Sequence, residues 1–145
     1  MEDCSNIARF DEYTGKIFAA LYQRFPVPLL LQTHEYVESP TEFSDFLGCD
    51  TASKESEFFC HTVVWLEKAG YIETEEVDGR YLYVQGVVLT AKGLEVLNIQ
   101  PDSLEQRVSL GSRITRATRE EGVEMLRGLV REALSAGAKM MVYGS

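Results

Sequence analysis

The first clear pattern in the chain is helical. Phe10, Tyr13, Ile17, Leu21 and Phe25, with Phe18 and Tyr22 beside them, form a wide apolar stripe. This predicts a helix over Asp11 to Arg24, stopped by Pro26-Val27-Pro28, because proline lacks an amide donor and restrains the residue before it. Leu29-Leu30-Leu31 is too short for periodicity to separate strand from helical turn, and is read as a strand. Ser39-Pro40 reads as a helix start, followed by Thr41, Glu42, Phe43, Phe46 and Leu47, with Gly48 as terminator. Phe59, Val63, Leu66 and Ala69 then recur at helical spacing until Gly70, which is free to take positive φ. Phe58 and Phe59 cannot share one core face at about 100° per residue, so Phe59 is read as the buried one. Trp65 reads as a core or interface aromatic. Beyond Gly70, Tyr71, Glu73 and Glu75 alternate with Ile72, Thr74 and Val77 around Asp78-Gly79, and Tyr81 to Leu89 makes a return strand rich in aromatic and branched residues. Thr90 caps a further helix.

The phrase Leu66-Glu67-Lys68-Ala69-Gly70, the turn Asp78-Gly79-Arg80, and the run Leu89, Thr90, Lys92, Gly93 and Leu97 together resemble the winged-helix DNA-binding domains, MarR-like regulators in particular. The resemblance spans roughly residues 10 to 98. It implies a mainly α fold with a small β-hairpin, an α+β winged helix-turn-helix. Residues 39–48 become the positioning helix, and the helix ending at Gly70 becomes the recognition helix, with Lys54, Glu57, Phe58 and His61 as candidate contacts. Glu73, Glu75, Glu76, Asp78, Arg80, Tyr81 and Tyr83 form the wing. Gly48 to Gly70 is several residues longer than the family's usual turn plus helix, which makes Asp50 to Glu57 a longer turn or an added helical turn.

The pattern changes after Leu97. Gln100-Pro101-Asp102-Ser103 reads as a linker and Gly111-Ser112 as a second break, giving a division into 1–99, 100–112 and 113–145. An amphipathic helix is predicted from about Arg113 to Ala136, with Val123, Leu126, Val130, Ala133 and Gly137 on one stripe. Small residues along that stripe suit close approach of a second helix. It is therefore read as a self-association seam in a homo-oligomer, with folding back onto the same chain as the alternative.

Charge pulls against the family analogy. The chain carries a net −9, but residues 1–100 hold seven cations against seventeen carboxylates, and residues 101–145 seven against six. Duplex DNA is gripped by neutralising phosphates with Lys and Arg, and in the expected wing four carboxylates face Arg80 alone. Two functions follow. In the first, the protein is a non-catalytic regulatory module that binds an unknown protein through its acidic wing and aromatic residues. In the second, it is a dimeric transcriptional regulator whose Arg107, Arg113, Arg116 and Arg119 supply DNA backbone contacts.

Other classes find little purchase. Cys4, Cys49 and Cys60 are odd in number and without a CxxC pair, which points to a reducing cytoplasm and no disulfide framework. Neither they nor His34 and His61 have zinc-ligand spacing, and no metal or cofactor is expected. No GxSxG, GxxxxGK or HExxH motif is present, so no enzyme is expected. The acidic start is not a secretory signal, and no apolar run approaches a membrane span. Glutamates interleaved with the tail arginines argue against membrane-surface binding.

Overall fold

The computed structural model describes residues 5–100 and 108–143. The Gln100–Ser103 linker and Arg107 fall almost wholly outside them. The first helix, α1 (Asn6–Arg24), begins five residues earlier than the stripe predicts, because Ser5 caps it by accepting a hydrogen bond from the Ala8 amide at 3.1 Å. The proline stop holds. Leu29–Gln32 is a strand, β1, as read from the sequence.

The largest correction lies next. Residues 39–48 do not form a helix: Thr41–Ser44 (β2) and Cys49–Ala52 (β3) make an antiparallel hairpin, with Thr41 opposite Ala52 and Ser44 opposite Cys49. Gly48 closes the turn at φ 71°, its amide bonding the Ser44 carbonyl at 2.7 Å, while the Leu47 amide bonds Ser44 Oγ at 3.1 Å. The helical spacing of Phe43, Phe46 and Leu47 misled because all three face outward, with 62%, 94% and 60% of their surface exposed. A helix there would gain no buried face, and most helical stability in proteins comes from such a face. The second strand also accounts for the extra length before Gly70. Asp50 lies in β3 and Ser53 caps the following helix, α2 (Lys54–Lys68), by accepting from the Ser56 amide. The Pro40 carbonyl accepts from the Ser53 amide and from Ser56 Oγ, which fastens the hairpin to the start of α2.

At its end α2 follows the sequence. Gly70 takes φ 93°, the Gly70 amide bonds the Glu67 carbonyl, and the Tyr71 amide reaches back to Leu66 at 3.0 Å. Short strands β4 (Ile72–Glu73) and β5 (Glu76–Val77) then pair with β6 (Tyr83–Leu89), and β1 pairs on the other side of β6, all antiparallel. Val84, Val87 and Leu89 of β6 point into the core. Thr90 caps α3 (Ala91–Leu97) through the Gly93 amide.

The C-terminal part also departs from expectation. Gly111-Ser112 is not a break: Ser109 caps α4 (Leu110–Arg116), and Gly111 is buried where a Cβ would stand 2.7 Å from the Tyr22 ring. The interruption comes instead at a π-helical segment, Ala117–Glu121, and at Gly122, whose φ of 88° separates it from α5 (Gly122–Tyr143). Both helices lie against α1. Ile17, Phe18 and Leu21 share one continuous core with Val63 and Leu66 of α2, Val84 and Val87 of β6, Leu110 and Ile114 of α4, and Leu126 and Val130 of α5. The protein is mixed α and β, mainly helical, with α1 at its centre. No helix among the described residues is long and apolar enough to cross a membrane.

Candidate interaction face

α2 places its residues on two sides. Phe59, Cys60, Val63 and Leu66 are buried, whereas Lys54, Glu57, His61, Trp65 and Lys68 form an exposed stripe at helical spacing. Three of the four candidate helix residues, Lys54, Glu57 and His61, therefore point outward. Phe58 is half-buried, with the Arg9 guanidinium 4.1 Å from its ring centre. Arg9 also lies 3.6 Å from Glu55, and Glu55 accepts the Tyr13 hydroxyl at 2.6 Å. Burial, helped by that hydrogen bond, pushes the Tyr13 phenol upward.

The candidate wing residues come together on the β5–β6 turn and its flanks. Glu73, Glu75, Glu76 and Arg80 are exposed, and Asp78, Tyr81 and Tyr83 are partly buried. Asp78 organises the turn: its carboxylate accepts the Leu82 amide at 3.1 Å, and its carbonyl accepts the Tyr81 amide at 2.9 Å. The residue with positive φ is Tyr81, at 60°, and not Gly79. Thr33 holds this strained position by donating its hydroxyl to the Tyr81 carbonyl at 2.8 Å and its amide to Leu82. Tyr81 thus turns its ring toward His61, with ring centres 5.6 Å apart.

A cleft of about 740 Å³ opens between this turn and the β2–β3 hairpin, floored by Lys54 and Glu57. On the other flank of α2 lies an apolar groove of about 480 Å³, walled by Ile7, Phe10, Phe58, Trp65 and Leu134. Trp65 stands edge-on to Phe10 at 5.2 Å and stays half-exposed. Arg131 at the groove's margin forks onto the buried Asp11 with bonds of 2.8 and 2.9 Å.

Two other groups of candidate residues lie elsewhere. Arg113 pairs with Glu132 at 3.8 Å and Arg116 with Glu121 at 3.5 Å, and Arg116 and Arg119 line a small depression beside Tyr22. Since α2 meets α1 at Arg9, Phe10 and Tyr13, that depression lies roughly 14 Å or more further along α1, at about 1.5 Å per residue. Arg107 lies outside the described residues. The proposed self-association stripe is spent on the chain itself: Leu126, Val130 and Ala133 are almost wholly buried, and Gly137 is packed under Tyr71, leaving only Val123 exposed. Folding back, the alternative read from the sequence, is what the stripe does.

Sequence reasoning missed the hairpin's exposed Phe43, Phe46 and Leu47 and the groove as a unit. Trp65 falling on the polar stripe of α2 was the one available signal for the groove. Among the described residues no group of three or more His, Cys, Asp or Glu is placed to hold a metal ion. No protein-family model, no curated protein and no solved structure matches the chain.

Proposed function

We propose that the protein is a non-catalytic, winged-helix-type module that docks other proteins through the face built on α2, the β5–β6 turn and the β2–β3 hairpin, in a regulatory role. The sheet order β1-β6-β4, with α1 before it and α2 leading into it, supports the winged-helix reading. One observation carries the protein reading over DNA. Where a helix-turn-helix needs its first helix, the chain has a hairpin that projects three large apolar side chains. Exposed apolar clusters of this kind suit protein interfaces.

Electrostatics adds to this. Around the face, Glu57, Glu73, Glu75, Glu76 and Asp78 outnumber Lys54, Lys68 and Arg80, so a duplex would meet net repulsion at its phosphates. The tail arginines that the regulator reading enlists are partly paired and displaced along α1.

The test uses full-length protein with two labelled probes, a generic DNA duplex and a cationic amphipathic peptide, at low and moderate salt. The expected result is no duplex binding and measurable peptide binding, weakened when Glu75 and Glu76 are reversed to lysine without a change in melting temperature. Duplex binding that falls steeply with salt would instead select the DNA-binding regulator.

A further inference from the structure

The β2–β3 hairpin is a sheet of two strands, so each strand has one open edge. The register fixes which backbone groups face it. The Ser53 amide bonds the Pro40 carbonyl at 2.9 Å, and along the same ladder Glu42 lies opposite Thr51 and Phe43 opposite Asp50. Hydrogen-bonded and non-bonded pairs alternate in an antiparallel ladder. Cys49 and Thr51 therefore turn their N–H and C=O groups toward β2, while Asp50 and Ala52 turn theirs to the open edge. Among the described residues no protein group bonds those outward N–H and C=O groups. The edge opens into the cleft of about 740 Å³ between the hairpin and the β5–β6 turn, since all four residues of β3 line it. Successive strand side chains point to opposite faces, so four in a row line a cleft that takes in the strand's edge. The far wall is held firm by Thr33, which bonds the carbonyls of Tyr81 and Leu82.

We propose that this cleft takes an extended peptide segment of another protein, which adds to β3 as a third strand. This deepens the protein-docking reading and rests on it, naming the form in which the partner binds. The chemistry of the edge selects the occupant. Donors and acceptors that recur at every second residue, about 6.8 Å apart, are matched by another extended main chain. A hairpin of two strands is marginal alone, and a third strand supplies the pairing it lacks. Charge excludes a second hairpin from that role. Residues 41–52 hold Glu42, Asp45 and Asp50 and no lysine or arginine, so two copies edge to edge would set carboxylate against carboxylate. The same rule places a lysine or arginine of the partner opposite Asp50, whose carboxylate has no ion-pair partner among the described residues. Over the cleft as a whole Lys54 and Arg80 balance Asp50 and Glu57. One cation therefore suffices, and the main chain carries most of the recognition.

The probe is an acetylated and amidated octapeptide that alternates threonine with valine around one central lysine, titrated into the full-length protein. Two further versions carry N-methyl groups on one or the other alternate set of amides, so that each blocks a single edge of the peptide strand and leaves its side chains and charge alone. Expected is binding of the parent peptide, with hydrogen exchange of the Asp50 and Ala52 amides slowed at least tenfold. One N-methylated version is expected to bind at least tenfold more weakly and the other within about twofold of the parent. Asp50→Lys is expected to weaken the lysine peptide about threefold and to favour a version with glutamate at the centre. Because Asp50 is exposed, that variant leaves the core untouched. Peptide binding without protection of the two amides would overturn the proposal, as would equal tolerance of both methylation patterns. So would absence of peptide binding, or protection that rises with protein concentration alone, which would assign the edge to a second copy. Binding without edge protection leaves the docking reading standing, whereas duplex binding in place of peptide binding is the failure of that reading itself.

Discussion

Asp11 and Arg131 show how a pair of residues can be unequal partners. The Asp11 side chain is 3% exposed and the Arg131 side chain 52%. Removing Arg131 strands a buried carboxylate, whereas removing Asp11 lets a half-exposed guanidinium return to water. Arg131→Ala is therefore expected to cost about 3 kcal/mol, near the low end for a broken buried pair, and Asp11→Asn about 1–2 kcal/mol. Urea titrations of the two variants give the comparison, and equal losses would contradict the asymmetry. The cysteines differ in the same way. Cys60 is buried beside Thr33, and burial pushes its thiol upward, while Cys49 is exposed on β3. In a Cys4→Ser background, iodoacetamide is expected to modify Cys49 in the folded protein and Cys60 only after unfolding, as mass spectrometry of peptides would show.

Among the elements, α1 and α2 are legible through the spacing of their buried faces and α3 through its Thr90 cap, and Gly70 stops α2 where the residue type says it should. Their starts are less so: Ser5 begins α1 five residues ahead of its apolar stripe, and Ser109 caps α4 where Gly111-Ser112 reads as a break. The hairpin at 41–52 was not legible. Phe43, Phe46 and Leu47 carry helical spacing by coincidence, and only the absence of anything to pack them on decides against a helix. The candidate site divided along the same line. The outward residues of α2 and the β5–β6 turn followed from local pattern, whereas the groove needs Phe10, Trp65 and Leu134 from three elements distant in sequence. α5 was legible as an amphipathic helix, but periodicity says nothing about which surface covers it. Its fold-back position makes Val130 a core residue, so Val130→Asp is expected to lower the melting temperature sharply, with several kcal/mol lost to a buried carboxylate. Calorimetry separates this from simple dissociation of a folded oligomer, which would leave the transition in place.

On the scale of the whole molecule, the buried phenols tie the packing to pH. Burial and Glu35 push Tyr36 up to about 12, and burial also raises Tyr71 and, with the Glu55 hydrogen bond, Tyr13. Above about pH 10 the unfolded chain releases protons that the folded chain keeps, so this contribution is complete below that pH and is lost as pH rises through about 12. Urea midpoints are expected to fall across that window, and less so in Tyr36→Phe. The central place of α1 also has a consequence for the order in which the chain folds. One flank of α1 is completed by Leu126, Val130 and Ala133, which follow it far along the chain. A nascent chain halted before α5 emerges holds α1 with that flank bare, so protease resistance of α1 should arrive abruptly once α5 has cleared the exit tunnel. Everything synthesised between the two helices thus waits on α5 before the core can close.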